Sequence, residues 1–369
     1  MKRVDVAVVG AGIAGITVAA EFARERTVLV LEADTGPARQ TTGRSAAICM
    51  ASYGGPRIQP FTRTGRAWLE SGGGGYLERS LLSPRGLVVI AAPGQQASFE
   101  RYAADGGRPI SVVEACELFP ALRPEQCEAA AYDPEIFDLD AAGAVSSARR
   151  ALRERGGEMM ASSPVTALDQ SNGSWQVTTP TGIVEAGLVV NAAGAWSDDI
   201  AVMAALPKIG MLPMRRTICT FRAPASLGHE AWPMLLDAAE QFYLKPEPGQ
   251  FLASPADETP SAPCDPRPDL IDVATALDRV NAATTLQATT IQTSWAGLRT
   301  FAPDRSLVLG PDPLADGFAW CAGHGGFGIQ AAHSAARAVV TLVETGELPA
   351  DVVAAGGDRA AVVPDRFRA

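Results

Sequence analysis

The stretch GAGIAG, Gly10–Gly15, decides the fold because it joins a predicted strand to a predicted helix. A β-branched run, Val4–Val9, precedes it and is typical of a buried parallel strand. Apolar residues recur at helical spacing across Ile13–Arg24, a segment that begins within GAGIAG. A second apolar run, Val28–Leu31, ends next to the acidic residue Glu32. This order of strand, glycine turn, helix, strand and acid predicts a Rossmann-type dinucleotide site.

Each part of this motif has a mechanical role in binding a dinucleotide. Gly10 is expected to form the tight turn, Gly12 to leave room for the pyrophosphate, and Gly15 to let the helix approach the strand. The helix N-terminus offers free N–H donors to the phosphates. The Glu32 carboxylate is expected to accept the ribose hydroxyls, and it disfavours a 2′-phosphate. A purely structural glycine turn is the alternative, and this motif alone does not separate NAD from FAD.

Composition sets bounds on the class of protein. At 369 residues the chain is long enough for two domains. Its net charge of −10 disfavours nucleic acid as a partner. The cysteines form no CxxC pair and none has a histidine at ligand spacing, which indicates a reducing compartment and predicts no metal site. No apolar stretch reaches the length of a membrane span, so we predict a cytoplasmic protein and leave peripheral association at the inner face of the membrane open.

Three later segments favour FAD over NAD. QTTGRSAA, Gln40–Ala47, lies beyond the second strand, where its arginine could reach back to a pyrophosphate; an exposed polar loop is the alternative. GLVVNAAG, Gly187–Gly194, predicts a buried strand that ends in small residues and permits close approach to a bulky cofactor. Phe318–Val340 predicts a strand, a glycine cluster and a helix whose N-terminus would stabilise negative charge on a reduced flavin. The cofactor site is therefore expected to draw on both ends of the chain.

Taken together, GAGIAG, TTGRSAA, VVNAAGAW, SWAGLRTF followed by PDRSLVLG, and GGFGIQ make the chain resemble the D-amino-acid oxidase-like FAD oxidoreductases. Within that family it most resembles the D-arginine dehydrogenases, over nearly its full length. The resemblance implies non-covalent FAD and an α/β fold with an α+β substrate domain. Residues 1–80, 140–205 and 295–369 would form a discontinuous Rossmann-type FAD-binding domain. Residues 81–139 and 206–294 would form a substrate-binding domain around a mixed antiparallel sheet.

The resemblance also transfers a set of cofactor-binding positions to this sequence. The residues expected to contact FAD are Gly10, Gly12, Ile13, Ala14, Gly15, Glu32, Ala33, Thr42, Gly43, Arg44, Ser45, Ala46, Ala47, Val165, Ala193, Gly194, Trp196, Arg299, His324, Gly325, Gly326, Phe327, Gly328, Ile329 and Gln330.

Four residues are expected to bind and enclose a substrate carboxylate. By resemblance, Arg216, Tyr243 and Arg299 hold the carboxylate, and Tyr53, in the glycine-rich loop MASYGGP, closes over it. The chemistry agrees, because a guanidinium offers two parallel donors and a tyrosine adds a neutral O–H. Strand alternation places only one of the adjacent Arg215 and Arg216 on the pocket side. A surface arginine or a core tyrosine is the alternative for any one of these residues taken alone.

The side-chain pocket is where this sequence departs from its relatives. Leu87 occupies a position at which the D-arginine dehydrogenases carry an acidic residue, and Ile48 replaces a histidine. A cationic side chain would be desolvated there without a partner, so we expect apolar or aromatic D-amino acids to be preferred over D-arginine. The other predicted pocket residues are Met50, Met234, Leu236, His324, Gly326 and Gln330. His324 either tunes the flavin or is a packing histidine.

The implied reaction is oxidative deamination of a D-amino acid, with hydride transfer from Cα to flavin N5, giving a 2-oxo acid and ammonia. The alternatives are a secondary-amine or 2-hydroxy-acid oxidoreductase on the same scaffold, an NAD-dependent dehydrogenase, and a non-catalytic flavin-binding subunit. The electron acceptor is left open among a quinone, an electron carrier and O2, so the enzyme is a dehydrogenase or an oxidase.

Overall fold

Three β-sheets organise the computed structural model, which describes residues 1–104, 106–224 and 227–368. The strands are β1 (Lys2–Val9), β2 (Val28–Leu31), β3 (Ile48–Met50), β4 (Leu82–Pro84), β5 (Leu87–Ala91), β6 (Arg108–Ile110), β7 (Ala129–Asp133), β8 (Ile136–Leu139), β9 (Glu158–Met160), β10 (Ala167–Ser171), β11 (Ser174–Thr179), β12 (Gly182–Asn191), β13 (Leu212–Arg222), β14 (Met234–Asp237), β15 (Tyr243–Glu247), β16 (Gln250–Ser254), β17 (Thr259–Pro260), β18 (Ile291–Phe301), β19 (Val308–Pro311) and β20 (Phe318–Ala322). The helices are α1 (Ile13–Phe22), α2 (Gln59–Glu70), α3 (Gly72–Gly75, one turn of four glycines with positive φ), α4 (Gln96–Ala104), α5 (Val112–Leu118), α6 (Ala141–Glu154), α7 (Ser197–Met203), α8 (Leu270–Ala283), α9 (Gly328–Thr345) and α10 (Ala350–Ala354).

The eight-stranded sheet contains the predicted Rossmann unit. Its strand order is β10-β11-β12-β1-β2-β9, with β20 beside the second half of β12 and β19 beside β20. Strand β1 pairs in parallel with both β2 and β12. Its residues Val6–Val9 are buried because helices cover both faces of a parallel sheet. The α/β, Rossmann-type prediction is confirmed.

The nine-stranded sheet forms the second layer of the molecule. Its order is β17-β13-β16-β15-β14-β5-β7-β6, and β18 pairs antiparallel with β13 over most of its length. One face packs under α5 and α8, whereas the other faces the cofactor sheet. All of Ile291–Phe301 belongs to this sheet, so a domain boundary at residue 295 would cut through β18. Strands β3, β8 and β4 form a separate small sheet.

Two global features bear on the remaining sequence predictions. Among the helices of the described ranges, none has both the length and the apolar character that crossing a bilayer requires. All six cysteines are free thiols, four of them buried.

A buried ion pair attaches the C-terminal segment to the cofactor sheet. The Arg368 guanidinium donates to Asp312 Oδ2 at 2.7 and 3.1 Å and to the Pro207 carbonyl at 2.7 Å. Trp320 Nε1 donates to the same carboxylate oxygen at 2.8 Å. The exposed fraction of the side chain is 2% for Arg368 and 0% for Asp312. Sequence reasoning missed this pair because its two members lie 56 positions apart, and no local pattern connects them.

Removing Arg368 leaves the Asp312 carboxylate buried without a counter-charge. We expect Arg368→Ala to lower the free energy of unfolding by about 3 kcal/mol, measured by urea denaturation. The matched control is Arg108→Ala, which breaks an exposed pair with Glu114 and costs at most about 1 kcal/mol. Equal effects of the two substitutions would contradict the structural importance of the Arg368 pair.

Candidate active site

A cavity of about 800 Å³ lies at the carboxyl ends of the parallel strands β1, β2, β12 and β20, with β13 and β18 forming its opposite wall. Ligands of open α/β sheets bind at this edge. The lining comes from both ends of the chain, including 9–10, 12–14 and 321–330. All of the predicted cofactor residues border the cavity except Gly15, Gly43 and Ala47.

The three glycines of GAGIAG have different environments. Gly10 has φ +101°, and a Cβ there would lie 2.6 Å from the Ala192 carbonyl oxygen. A Cβ on Gly15 would lie 1.9 Å from the Gly10 carbonyl oxygen, so this residue is needed for the contact between helix and strand. A Cβ on Gly12 would meet only Thr42 Oγ1, at 3.4 Å, which is an ordinary contact. The protein itself therefore tolerates a side chain at Gly12, and the space that would be filled belongs to the cavity.

Glu32 lies at the end of β2 and borders the same cavity. Its carboxylate accepts hydrogen bonds from Ala11 N–H at 2.6 Å and Asp34 N–H at 2.8 Å. Burial raises the pKa of this carboxyl, and the two backbone donors oppose that shift. Thr42 Oγ1 accepts from Ile13 N–H at 3.1 Å, at the N-terminus of α1.

Arg44 bonds to partners that the sequence did not indicate. Its guanidinium donates to the carbonyl oxygens of Ala296 (3.0 Å), Arg39 (3.2 Å) and Pro266 (3.4 Å) and forms an ion pair with Asp265. Through these contacts the side chain ties the loop after β2 to β18, while Arg44 also borders the cavity. Gly43 and Ala47 lie outside the cavity wall. A Cβ on Gly43 would be 2.3 Å from the Ala38 carbonyl oxygen, so that glycine serves packing.

The register of β13 and β18 brings two arginines to the cavity. Arg216 pairs with Gly297, and Met214 pairs with Arg299, so both arginines are on one face of the sheet. Both border the cavity. Arg215 is on the opposite face, where its guanidinium donates to Asp272 of α8 at 2.8 Å.

The two arginines differ in their charge partners. Arg216 Nε donates to the Asp257 carbonyl at 2.7 Å, and its Nη2 lies 3.4 Å from Glu258 Oε1. Arg299 Nη1 donates to the Tyr53 hydroxyl at 3.1 Å. Within the described residues, no carboxylate oxygen comes within 4.0 Å of the Arg299 guanidinium. Arg299 is thus a half-buried cation without a paired anion.

Neighbouring groups hold Arg299 in its charged form. Burial tends to lower the pKa of its guanidinium, but Tyr53, Tyr243, Glu258 and Asp257 together raise the pKa above the usual value. The cation therefore persists at any physiological pH and can receive an anionic ligand.

Besides Thr300 Oγ1, two polar side-chain atoms at the site lack partners among the described residues. The Tyr243 hydroxyl is buried without a hydrogen bond, and so is His324 Nε2. Burial lowers the pKa of His324 to about 4, so its imidazole is neutral near pH 7. Because buried polar groups are normally paired, both atoms are suited to bind a ligand.

Gly326 leaves the space that the Tyr53–Arg299 pair occupies. A Cβ there would lie 2.8 Å from the Tyr53 hydroxyl and 2.9 Å from Arg299 Nη1. Tyr53 also makes an edge-to-face contact with Phe327 at 6.3 Å between ring centroids. The loop after β3, which carries Tyr53, therefore meets strand β18 and the start of α9 at this point.

Gln330 borders the cavity, but its amide is used within the protein. Its Oε1 accepts from Met50 N–H at 3.0 Å, and its Nε2 donates to Met50 O at 3.1 Å and to Thr62 Oγ1 at 3.0 Å. The side chain thus fixes β3, from which the Tyr53 loop continues. No sequence signal pointed to this role, because the contact joins positions 280 residues apart.

The predicted apolar pocket residues gather in one cluster but in two layers. Of the five predicted apolar residues, Ile48 borders the cavity, beside Ala46 and Ile218 of the same cluster, which were not predicted for this pocket. Contrary to the prediction, the other four belong to this cluster but do not line the cavity: Met50, Leu87, Met234 and Leu236. The family resemblance led to the correct cluster, whereas the depth of each side chain depends on how the small β3-β8-β4 sheet packs against the larger one.

A Rossmann-type cavity whose opposite wall is a second sheet carrying Arg216 and Arg299 is typical of a dinucleotide-dependent oxidoreductase. The chain belongs to the FAD-dependent oxidoreductase (DAO) family, whose model matches residues 5–342. FAD is its cofactor, which confirms the prediction and removes the NAD alternative. The cavity fits this cofactor through the open space at Gly12 and the carboxylate of Glu32.

Individual relatives share parts of the sequence or the whole fold. Human mitochondrial dimethylglycine dehydrogenase is 30% identical over 142 residues, which are 38% of this chain and 16% of that protein. The chain thus spans about a sixth of that relative. Glycine oxidase from Geobacillus kaustophilus has a similar structure, with a TM-score of 0.82, 22% identity, and coverage of 95% of this chain and 96% of that one. L-proline dehydrogenase from P. horikoshii gives a TM-score of 0.84 at 21% identity, with coverage of 100% and 98%.

The space at Gly12 can be tested by filling it. We expect Gly12→Ala to leave the Tm of the FAD-free protein unchanged and to raise the Kd for FAD about tenfold, because the new methyl group occupies cavity space. Gly36→Ala is the control, since a Cβ there meets no atom within 4 Å. Unchanged FAD affinity in Gly12→Ala would show that the cofactor does not pass over this glycine.

Proposed function

We propose that this enzyme oxidises D-amino acids with apolar side chains, in preference to D-arginine, to 2-oxo acids and ammonia. The observation that carries the proposal is the Arg299 cation, which faces the FAD cavity beside a tyrosine hydroxyl and pairs with no carboxylate of the part of the chain that the structure describes. The chemistry that FAD supplies when bound is acceptance of a hydride from the substrate. The protein's contribution is to hold the substrate in one orientation.

An α-carboxylate is the anion that suits Arg299 best. A guanidinium binds a carboxylate through two parallel N–H donors, and Tyr243 has a buried hydroxyl free to add a third. Arg216, Arg299, Tyr53 and Tyr243 thus form the proposed carboxylate site. A carboxylate fixed there also fixes the position of the neighbouring Cα.

The character of His324 favours amine over alcohol oxidation. Alcohol oxidation near neutral pH needs a base to remove the O–H proton. A pKa of about 4 makes the His324 imidazole a weak base. An amine needs only to bind in its neutral form, and the unpartnered His324 Nε2 can orient it without adding charge.

The apolar wall accounts for the expected preference against D-arginine. Ala46, Ile48 and Ile218 offer no acceptor to a guanidinium. The nearby Asp138 carboxylate, on β8 opposite Ile48, is already bonded to Arg85 and lies 3.5 Å from Lys245 Nζ. A cationic substrate side chain would be desolvated without compensation. The D configuration rests on the sequence resemblance.

The same wall favours a second candidate function. Because Ile48 and Ile218 border the cavity and Leu87 and Met234 do not, a short substrate side chain is enough to contact the apolar wall. A small secondary or tertiary amine with a carboxylate would fit there, and two of the similar proteins are named for dimethylglycine and proline.

We also propose that the enzyme is cytoplasmic and that a quinone, an electron carrier or O2 accepts the electrons from the reduced flavin.

Anaerobic bleaching of the flavin by a substrate panel separates these functions. We expect D-leucine, D-methionine and D-phenylalanine to reduce the flavin, with kcat/KM for D-leucine on the order of 100-fold above that for D-arginine. L-leucine is the stereochemical control. Reduction by sarcosine or proline alone would favour the second candidate, and a preference for D-arginine would refute the pocket assignment.

The Tyr53–Arg299 arrangement can be disturbed without altering either residue. In Gly326→Ala, the new Cβ must push the Tyr53 hydroxyl and Arg299 Nη1 apart, because both lie within 3 Å of it. We expect KM for D-leucine to rise about tenfold in FAD-loaded enzyme of unchanged Tm. Gly187→Ala is the control, since its Cβ would meet only the Asp5 carbonyl oxygen at 3.4 Å. An unchanged KM would remove this pair from substrate binding.

A further inference from the structure

A carboxylate of the protein lies beside the proposed carboxylate site. Glu258 precedes β17, which pairs with β13 at Met214 and Arg215, next to Arg216. Its Oε1 lies 3.4 Å from Arg216 Nη2 and 2.9 Å from Arg305 Nη2. The Glu258 side chain is 31% exposed, so it is partly accessible to solvent.

Glu258 and a substrate carboxylate would have to share Arg216. One of the donors of Arg216 is already taken by the Asp257 carbonyl and another faces Glu258. An incoming carboxylate meets the negative charge of Glu258 and competes with it for the same guanidinium. If the substrate carboxylate displaces Glu258 from Arg216, Glu258 keeps its ion pair with Arg305 and is not left without a partner.

We infer that Glu258 is an internal competitor that weakens binding of the substrate carboxylate at Arg216 and Arg299. This inference rests on the proposed function. It applies equally to binding of the 2-oxo acid product, which carries the same carboxylate. Arg299, which has no such competitor within 4.0 Å among the described residues, provides the permanent part of the site.

The sign of the mutational effect distinguishes competition from a positioning role. If Glu258 only held Arg216 in place, removing its charge would loosen Arg216 and weaken carboxylate binding. If Glu258 competes, the same change strengthens binding. Glutamine keeps the shape and the ability to accept a hydrogen bond from Arg216 or Arg305, so Glu258→Gln changes mainly the charge.

The experiment measures acetate binding to the FAD-loaded enzyme by calorimetry. We expect Glu258→Gln to lower the Kd for acetate three- to fivefold, the size expected for a partly exposed charge pair. KM for D-leucine should fall by the same factor with kcat within twofold. Glu117→Gln removes an equal charge from α5, on the other face of the sheet, and should change neither value. Acetamide, which is neutral, should bind Glu258→Gln and wild type alike.

An unchanged or raised Kd for acetate in Glu258→Gln overturns the inference. Glu258→Ala tests the same inference if Glu258→Gln is unstable, and we expect it to bind acetate more tightly than wild type does. Arg299→Met, which removes the positive charge, separates this failure from failure of the proposed function. If Arg299→Met binds acetate as wild type does, the carboxylate site itself is wrong, whatever the result at Glu258.

Discussion

The unpaired cation of Arg299 is the constraint on which the active site depends. A half-buried guanidinium normally has an acidic partner. Here Arg299 donates one hydrogen bond to the Tyr53 hydroxyl, and the residue borders the cavity. The fold supports this arrangement at one point in particular. Only a glycine at position 326 leaves room for both the Tyr53 hydroxyl and Arg299 Nη1. The start of α9, the loop after β3 and strand β18 are thereby linked to the chemistry of a single side chain.

The pairing of β13 with β18 explains how two sheets make one site. Their register puts Arg216 and Arg299 on the same face and sends Arg215 to the helix side, where α8 supplies its carboxylate. The cofactor sheet delivers Gly12 and Glu32 to the opposite wall. Because Arg44 bonds to β18 and Asp265, the loop that follows the Rossmann unit also holds the two sheets together. Cofactor cavity and carboxylate site are therefore parts of one continuous space.

Much of this organisation could be predicted from the sequence, and the exceptions have a common cause. Glycine spacing and strand alternation are local, so the Rossmann unit and the side of β13 that faces the cavity were predictable. Leu87 and Met234 were assigned to the correct cluster but to the wrong layer, since depth depends on tertiary packing. Most polar partners of Arg44, Gln330 and Arg368 lie more than 50 positions away, and periodicity carries no information about such bonds.

A crystal structure of the FAD-loaded enzyme with 4-methyl-2-oxopentanoate, the 2-oxo acid of leucine, tests the central claim most directly. The account predicts that the carboxylate lies about 3 Å from the Arg299 guanidinium and from a tyrosine hydroxyl, with the alkyl chain against Ile48 and Ile218. A carboxylate bound elsewhere, or an Asp or Glu of the chain paired with Arg299 in the loaded enzyme, would contradict it.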